Sequence, residues 1–96
     1  MSNIGSVYDD LREQQKALDF YSQALAIQRE VADRDGVANT LNNIGAVYDS
    51  LGQKQRALEF YNQALPVWRE VGDRNGEATT LLDSGVICAD LGDRCV

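Results

Sequence analysis

Few residues in this chain could do chemistry, and their spacing argues against a catalytic or metal site. The sequence has no histidine, and its two cysteines, Cys88 and Cys95, form no CxxC pair, so a zinc signature is missing. It has no glycine-rich phosphate loop. Because no nucleophile, base and orienting group can be assembled, the sequence predicts a protein that is not an enzyme and needs no cofactor and no metal.

The two cysteines are also predicted not to pair with each other. On a helix that reached Cys95 they would lie two turns apart, about 10 Å along the axis, which is too far for a disulfide. Cys88 is expected to be a small buried side chain. Cys95 is expected to be a free thiol in a reducing compartment.

Charge and hydropathy restrict the possible partners. The net charge is −6, whereas nucleic-acid binding requires a basic surface. No stretch is long and apolar enough to span a membrane, and the acidic N-terminus lacks the features of a secretory signal. We therefore expect a cytoplasmic protein that binds neither nucleic acid nor membranes.

The chain repeats itself with a period of 40 residues. Residues 3–42 and 43–82 are identical at 24 of 40 positions, and residues from Asp83 onwards begin a third copy. Self-similarity at this period is typical of stacked helical repeats. We predict one domain over 1–96, with repeat 1 at about 1–35, repeat 2 at about 36–75 and a partial repeat 3 at about 76–96.

Each full copy contains two helical stripes, which predict a helix A and a helix B. Helix A of the first copy is predicted over residues 3–11, with a turn at Arg12 that is looser than the turn at Gly52, since arginine pays a penalty for positive φ. Gly52 suits a left-handed helix end. Asp35 and Asn75 are predicted to cap the helices that follow them.

Pro66 breaks the correspondence between the copies, because Ala26 takes its place in the first. Proline in a helix interior deletes one backbone hydrogen bond and costs about 3 kcal/mol. Trp68 and Val71 keep the apolar register beyond it. We therefore predict a bend near Asn62–Pro66 and not a helix end.

The second copy matches the pattern of the tetratricopeptide repeat at Ala38, Leu41, Ile44, Gly45, Tyr48, Leu51, Gly52, Ala57, Tyr61, Ala64 and Leu65. The chain resembles that family over essentially its whole length. Its 40-residue unit is longer than the usual ~34 residues and is similar to repeats of kinesin light chains, Pins-type scaffolds and bacterial arrays. The resemblance implies an all-α fold. It would be an α-solenoid of antiparallel helix pairs with about two and a half repeats and five helices.

The resemblance also implies a function, which is binding of an extended peptide or partner helix in a concave groove lined by A helices. Asparagines of helix A often hydrogen-bond the ligand's backbone in the 40-residue variant. An amide both donates and accepts, so a row of amides suits an extended chain. The alternative is a merely solvated polar face. The expected groove residues are Asn3, Asp9, Asn39, Asn42, Asn43, Asp49, Ser50 and Asp83.

The charge of this groove favours neutral or basic segments over acidic ones. Chaperone-binding members of the family clamp a C-terminal carboxylate with basic residues. The matching helix A positions here carry no basic residue, and a carboxylate would meet Asp9, Asp49 and Asp90. The partner is therefore expected to be a protein or peptide with a neutral or basic segment.

Self-assembly is the second functional hypothesis, because no helix B follows the partial third repeat. An open apolar patch marks an interface or an aggregation risk. Trp68, which replaces Gln28, is expected to be exposed, unless it packs on the last helix. The residues expected to support a homodimer are Trp68, Leu82, Val86, Ile87 and Leu91.

Overall fold

The computed structural model describes the backbone of residues 3–92 and the side chains of residues 13–92. It contains four helices, α1 (Asn3–Glu30), α2 (Arg34–Ser50), α3 (Lys54–Val71) and α4 (Arg74–Leu91), and residues 3–92 include no strand. Turns of two or three residues make successive helices antiparallel neighbours. Helix α2 packs between α1 and α3, and α3 packs between α2 and α4. The all-α prediction is confirmed.

The core forms where α2 meets both of its neighbours. Apolar residues at helical spacing on α2 are buried against α1 and α3, and the cluster contains Leu25, Val37, Ala38, Leu41, Ile44, Ala64, Val67 and Trp68. A second cluster of Ala57, Tyr61 and Ile87 joins α3 to α4. Gly45 is buried beside α3, and a Cβ atom there would lie 2.8 Å from the Tyr61 ring. The close approach of α2 and α3 at this contact therefore depends on a residue without a side chain.

Each turn between helices depends on one residue with positive φ. Gly52 has φ +81°, Gly72 has φ +74° and Ala32 has φ +61°. At each turn the next amide donates back to the helix, as Gln53 N–H does to the Tyr48 carbonyl at 2.9 Å, which satisfies an otherwise unpaired carbonyl. The predicted left-handed end at Gly52 is confirmed.

The predicted turn at Arg12 is wrong, so the described chain has four helices and not five. Helix α1 runs without interruption from Asn3 to Glu30. A residue with a Cβ atom pays about 1–2 kcal/mol in the left-handed conformation that Gly52 adopts. Arginine, glutamate, glutamine and lysine at 12–16 are all good helix formers. The helix therefore continues where the second copy turns.

The predicted caps at Asp35 and Asn75 are also wrong. The carboxylate of Asp33 accepts a hydrogen bond from the Gly36 N–H at 3.1 Å, and that of Asp73 accepts from the Gly76 N–H at 3.0 Å. Helices α2 and α4 thus begin two residues earlier than expected. Each turn contains two aspartate or asparagine residues, and the capping role goes to the first.

Pro66 lies inside α3, which continues to Val71. The prediction that the helix does not end there is confirmed. Val67 and Trp68, just beyond the proline, are buried in the core, so packing holds the second half of the helix in register. The bend near Asn62–Pro66 stays a prediction.

The prediction of unpaired cysteines is wrong for Cys88, which is disulfide-bonded. Its premise was a helix that reaches Cys95, whereas α4 ends at Leu91. Beyond a helix end, the rise of the helix no longer sets the separation of two side chains. Cys95 lies outside the described residues.

Ala32 offers a direct test of the turn constraint. Alanine pays for positive φ and glycine does not, so Ala32→Gly should raise the free energy of unfolding by about 0.5–1 kcal/mol. The exposed Ala26→Gly is the control, and it should lower that energy by about 0.5–1 kcal/mol as glycine does in a helix interior. Urea denaturation of both variants measures the difference. Equal losses of stability would contradict the turn argument.

Candidate peptide-binding face

One side of α2 remains open to solvent after the core is formed. The exposed side chains recur at helical spacing along it, at Asp35, Asn39, Ala46 and Ser50. Three further predicted groove residues, Asn42, Asn43 and Asp49, are half-buried at the edges of this strip. We call these seven residues the α2 face. The predicted groove side chains of Asn3 and Asp9 lie outside the described residues.

The amide of Asn42 is held by a buried chain of hydrogen bonds. The Trp68 indole N–H donates to the Thr80 hydroxyl at 2.9 Å, and this hydroxyl donates to Asn42 Oδ1 at 2.7 Å. The chain links α3, α4 and α2, so the oxygen of Asn42 is engaged within the protein. With the oxygen occupied, the NH₂ group is the part of this amide that remains for a ligand, and it can only donate.

Trp68 is buried, and the expectation that it is exposed is wrong. Only 8% of its surface is accessible. It packs on the last helix, which is the alternative that the sequence analysis left open. A Cβ atom at Gly76 would lie 2.5 Å from the indole. The indole therefore fits against α4 only because residue 76 is a glycine. Gln28 occupies the same slot in the first copy and accepts from the Thr40 hydroxyl at 2.7 Å.

Lys54 connects the ends of α2 and α4 through two carboxylates. Its ammonium group donates to Asp49 Oδ1 at 2.9 Å and lies 3.5 Å from Asp90 Oδ2. The hydrogen bond to Asp49 is the main cause that raises the pKa of Lys54. Sequence reasoning missed this residue, because its counterpart Gln14 has no charge.

Two predicted groove carboxylates, Asp49 of α2 and Asp83 of α4, act on the same buried phenol. Burial raises the pKa of Tyr61 to about 12, and the charges of Asp83 and Asp49 add to that effect. The pKa of Asp83 is itself raised, first by partial burial and then by Asp49. In the sequence, Tyr61 was identified only as a match to the repeat pattern. The structure adds it to the floor of an acidic region between α2 and α4.

An open depression of about 460 Å³ lies where the starts of α2 and α4 meet. Its lining is acidic and includes no basic side chain, and it consists of Asp33, Asp35, Gly36, Asn39, Trp68 and Asp73. Asn39 and Asp35 belong to the α2 face, so the depression opens onto one end of that face. A cationic side chain would find several carboxylates there.

Helix α4 presents larger apolar side chains than α2 does at two corresponding repeat positions. Leu82 and Val86 take the repeat positions of Asn42 and Ala46, and their side chains are 71% and 64% exposed. The other predicted self-association residues are buried or half-buried. Ile87 is buried against Tyr61, and Leu91 is half-buried beside it. The predicted patch is therefore reduced to Leu82 and Val86.

The described part of the chain offers neither a metal-ligand cluster nor a membrane-spanning helix. Its His, Cys, Asp and Glu side chains form no group of three that could hold a metal ion. None of its helices combines the length and apolar character needed to cross a membrane.

Thr80 should be essential to the hydrogen-bond chain beneath the α2 face. Thr80→Val keeps the shape but leaves the buried indole N–H of Trp68 without an acceptor, which costs about 1–3 kcal/mol. The adjacent exposed Thr79→Val is the control and should change stability by less than about 0.5 kcal/mol. Thermal unfolding of both variants measures this. A Thr80→Val protein as stable as the wild type would contradict the assigned bonds.

Tyr61 should make the protein sensitive to alkali. Its folded pKa of about 12 lies above the usual tyrosine value of 10.0, so its contribution to stability is complete below pH ~10 and is lost as pH rises towards 12. The free energy of unfolding should fall by about 2 kcal/mol across this range. Tyr61→Phe should remove that part of the decrease. Parallel pH curves for both proteins would show that Tyr61 is not the cause.

Comparison with known proteins agrees with the helix pairs just described. The family model for the tetratricopeptide repeat matches residues 1–70, which is most of the chain, whereas none of the curated proteins compared with it matches. Members of this family typically act as non-catalytic modules for protein–protein interaction. The chain belongs to the tetratricopeptide repeat family.

Proposed function

We propose that this protein is a non-catalytic interaction module that binds an extended peptide segment along the α2 face. One observation carries the proposal: the amides predicted for a groove share the single open side of α2, and none of them is buried in the core. The row includes Asn39, Asn42 and Asn43. Because these groups line a helix and not a loop, the packing of α2 between α1 and α3 holds them in place.

The spacing of the amides suits an extended chain. Asn39 and Asn43 are four residues apart, which is about 6 Å along a helix. An extended peptide repeats its side-chain direction and its outward backbone groups every two residues, or about 6.7 Å. Two successive amides could therefore pair with backbone groups of alternate ligand residues. Asn42 would add the donor that its bond to Thr80 holds in place.

The charges of this surface favour a neutral or basic ligand. Asp35 at one end of the face lies beside the acidic depression. Asp83 is partly desolvated near Asp49, so another negative charge there would be repelled and a positive one attracted. A lysine or arginine of the ligand could also compete with Lys54 for Asp49.

The apolar side chains of α4 suggest that one part of the ligand is hydrophobic. Leu82 and Val86 lie beyond the polar α2 face, which is joined to α4 through the Thr80–Asn42 bond. Burying two aliphatic side chains of this size contributes about 1.5–3 kcal/mol each when the burial is complete. The preferred segment therefore combines basic or polar residues with an aliphatic residue at one end.

Selection from a random library of 12-residue peptides displayed on phage is the first test. Enriched peptides should be basic and should contain aliphatic residues, and their affinity should fall with added salt. Asn39→Ala and Asn43→Ala should each weaken binding of a selected peptide by about 2- to 12-fold, the range expected for one hydrogen bond.

Asn62→Ala is the matched control, because Asn62 is an exposed asparagine on α3, away from the α2 face. Its affinity for the same peptide should equal that of the wild type. If all three substitutions have the same effect, or if the selected peptides are acidic, the α2 face is not the binding site.

Self-assembly through α4 is the second candidate function, and the exposure of Leu82 and Val86 favours it. The double substitution Leu82→Asp and Val86→Asp should abolish such an oligomer. Ile87→Asp would not test it, because Ile87 is buried and its replacement would disrupt the second core cluster. An oligomer that survives the double substitution would eliminate this candidate.

The cytoplasmic location stays a prediction. The free-thiol argument for it concerned Cys95, which lies outside the described residues. The disulfide at Cys88 argues against this location, because disulfides are rare in cytosolic proteins. Fractionation of cells that produce the tagged protein would decide between compartments.

A further inference from the structure

Helix α1 carries an apolar row that nothing in the described chain covers. Phe20 and Ile27 are one heptad apart on the same side of the helix, and they are 67% and 59% exposed. Their counterparts in the second copy are covered. Phe60 stacks on Tyr48 with ring centroids 5.5 Å apart, and Val67 is only 7% exposed.

The second copy shows what covers such a row. There the chain reverses at Gly52, and α2 returns to place Tyr48 on Phe60. The equivalent cover for Phe20 is the segment Asn3–Leu11, which is identical to residues 43–51 at seven of nine positions, including the tyrosine. The family match begins at residue 1, so this segment belongs to the repeat.

Within one chain this cover cannot reach its row. Helix α1 continues through Arg12, so residues 8 and 20 lie about 18 Å apart along a single helix. The chain thus contains both the covering segment, Asn3–Leu11, and the apolar row that it matches, but the straight helix keeps them apart. A second copy of the protein contains the same segment and the same row, so each copy can cover the row of the other.

We propose that two copies of this protein exchange these segments and form a closed dimer through α1. The two α1 helices run antiparallel, and Asn3–Leu11 of each copy packs on the Phe20 end of the Phe20–Ile27 row of the other. The two-fold axis passes near Gln14, midway between residues 8 and 20. Each contact occurs twice, as in an isologous interface, and each repeats the α2–α3 contact already present within the chain.

Arg12 is the residue that favours exchange of the Asn3–Leu11 segment over a turn within one chain. Glycine at the equivalent position 52 allows the positive φ of a turn, whereas arginine favours continued helix. Extension of a connecting segment between two packed elements is the usual route to domain swapping. The inference goes beyond the proposed function, because the dimer uses α1 and leaves the α2 face open.

Sedimentation equilibrium of the full chain over a wide concentration range is the test. The wild type should reach a mass of about twice 10.6 kDa and grow no further, since the exchange closes on itself. Arg12→Gly should raise the dimer dissociation constant at least tenfold by permitting the turn. The control Ala26→Gly places glycine elsewhere on α1 and should leave the dimer intact.

A second pair of variants tests the contact itself. Phe20→Asp should convert the dimer to a monomer with unchanged circular dichroism, because Phe20 is exposed in the single chain. Ala26→Asp is the control, since Ala26 is exposed and lies roughly a third of a turn from the Phe20–Ile27 row. Its dimer should persist.

Three results would overturn the inference. These are a wild type that stays monomeric at millimolar concentration, a Phe20→Asp variant that still dimerises, and a mass that increases without limit. A dimer lost only on replacing Leu82 and Val86 by Asp would assign assembly to α4 instead. Peptide binding by Phe20→Asp is measured in parallel. Loss of dimerisation can then be distinguished from loss of peptide binding on the α2 face.

Discussion

The architecture depends on whether the chain has, at each potential turn, a residue that can adopt a positive φ. Gly52 and Gly72 do so freely and Ala32 does so at a cost, and the chain reverses at all three. Arg12 occupies the corresponding place in the first copy, and there the helix continues. A local conformational preference of about 1–2 kcal/mol therefore sets the number of helices. It also determines which apolar faces are covered within one chain.

The two copies use the same packing slots with different chemistry. Gln28 and Trp68 both bond to a threonine of the following A-type helix, Thr40 and Thr80 respectively. In the second copy a larger aromatic side chain fills the slot, and its bond is relayed to Asn42. The core thus supports the binding face directly, because the packing of Trp68 fixes the orientation of an amide on the α2 face.

The repeat period and the apolar stripes were sufficient to predict the helix pairs and the turn at Gly52. They were not sufficient at Arg12, where the copies differ and local helix propensity outweighs the repeat pattern. The caps were misassigned because each turn contains two suitable residues two positions apart, as Asp33 and Asp35 show. Periodicity locates a helix but does not choose between such neighbours.

The candidate site was predictable where it depends on one helix and was missed where it depends on two. Asn39, Asn42 and Asn43 share a helix face, which spacing alone indicates. The Lys54 bridge and the effect of Asp83 on Tyr61 depend on how α2, α3 and α4 lie relative to one another, which no sequence period contains. Trp68 was expected at the surface because its counterpart is polar, and only the space left by Gly76 shows that it is buried.

The central claim is that the positive-φ residues decide where this chain reverses. The ¹³Cα secondary chemical shifts of residues 12–16 and 52–56, measured by NMR on the same sample, test it most directly. The account predicts unbroken helical shifts through Arg12–Lys16 and an interruption at Gly52–Gln53. Equal interruptions in both segments would contradict it, because the first copy would then turn without a glycine.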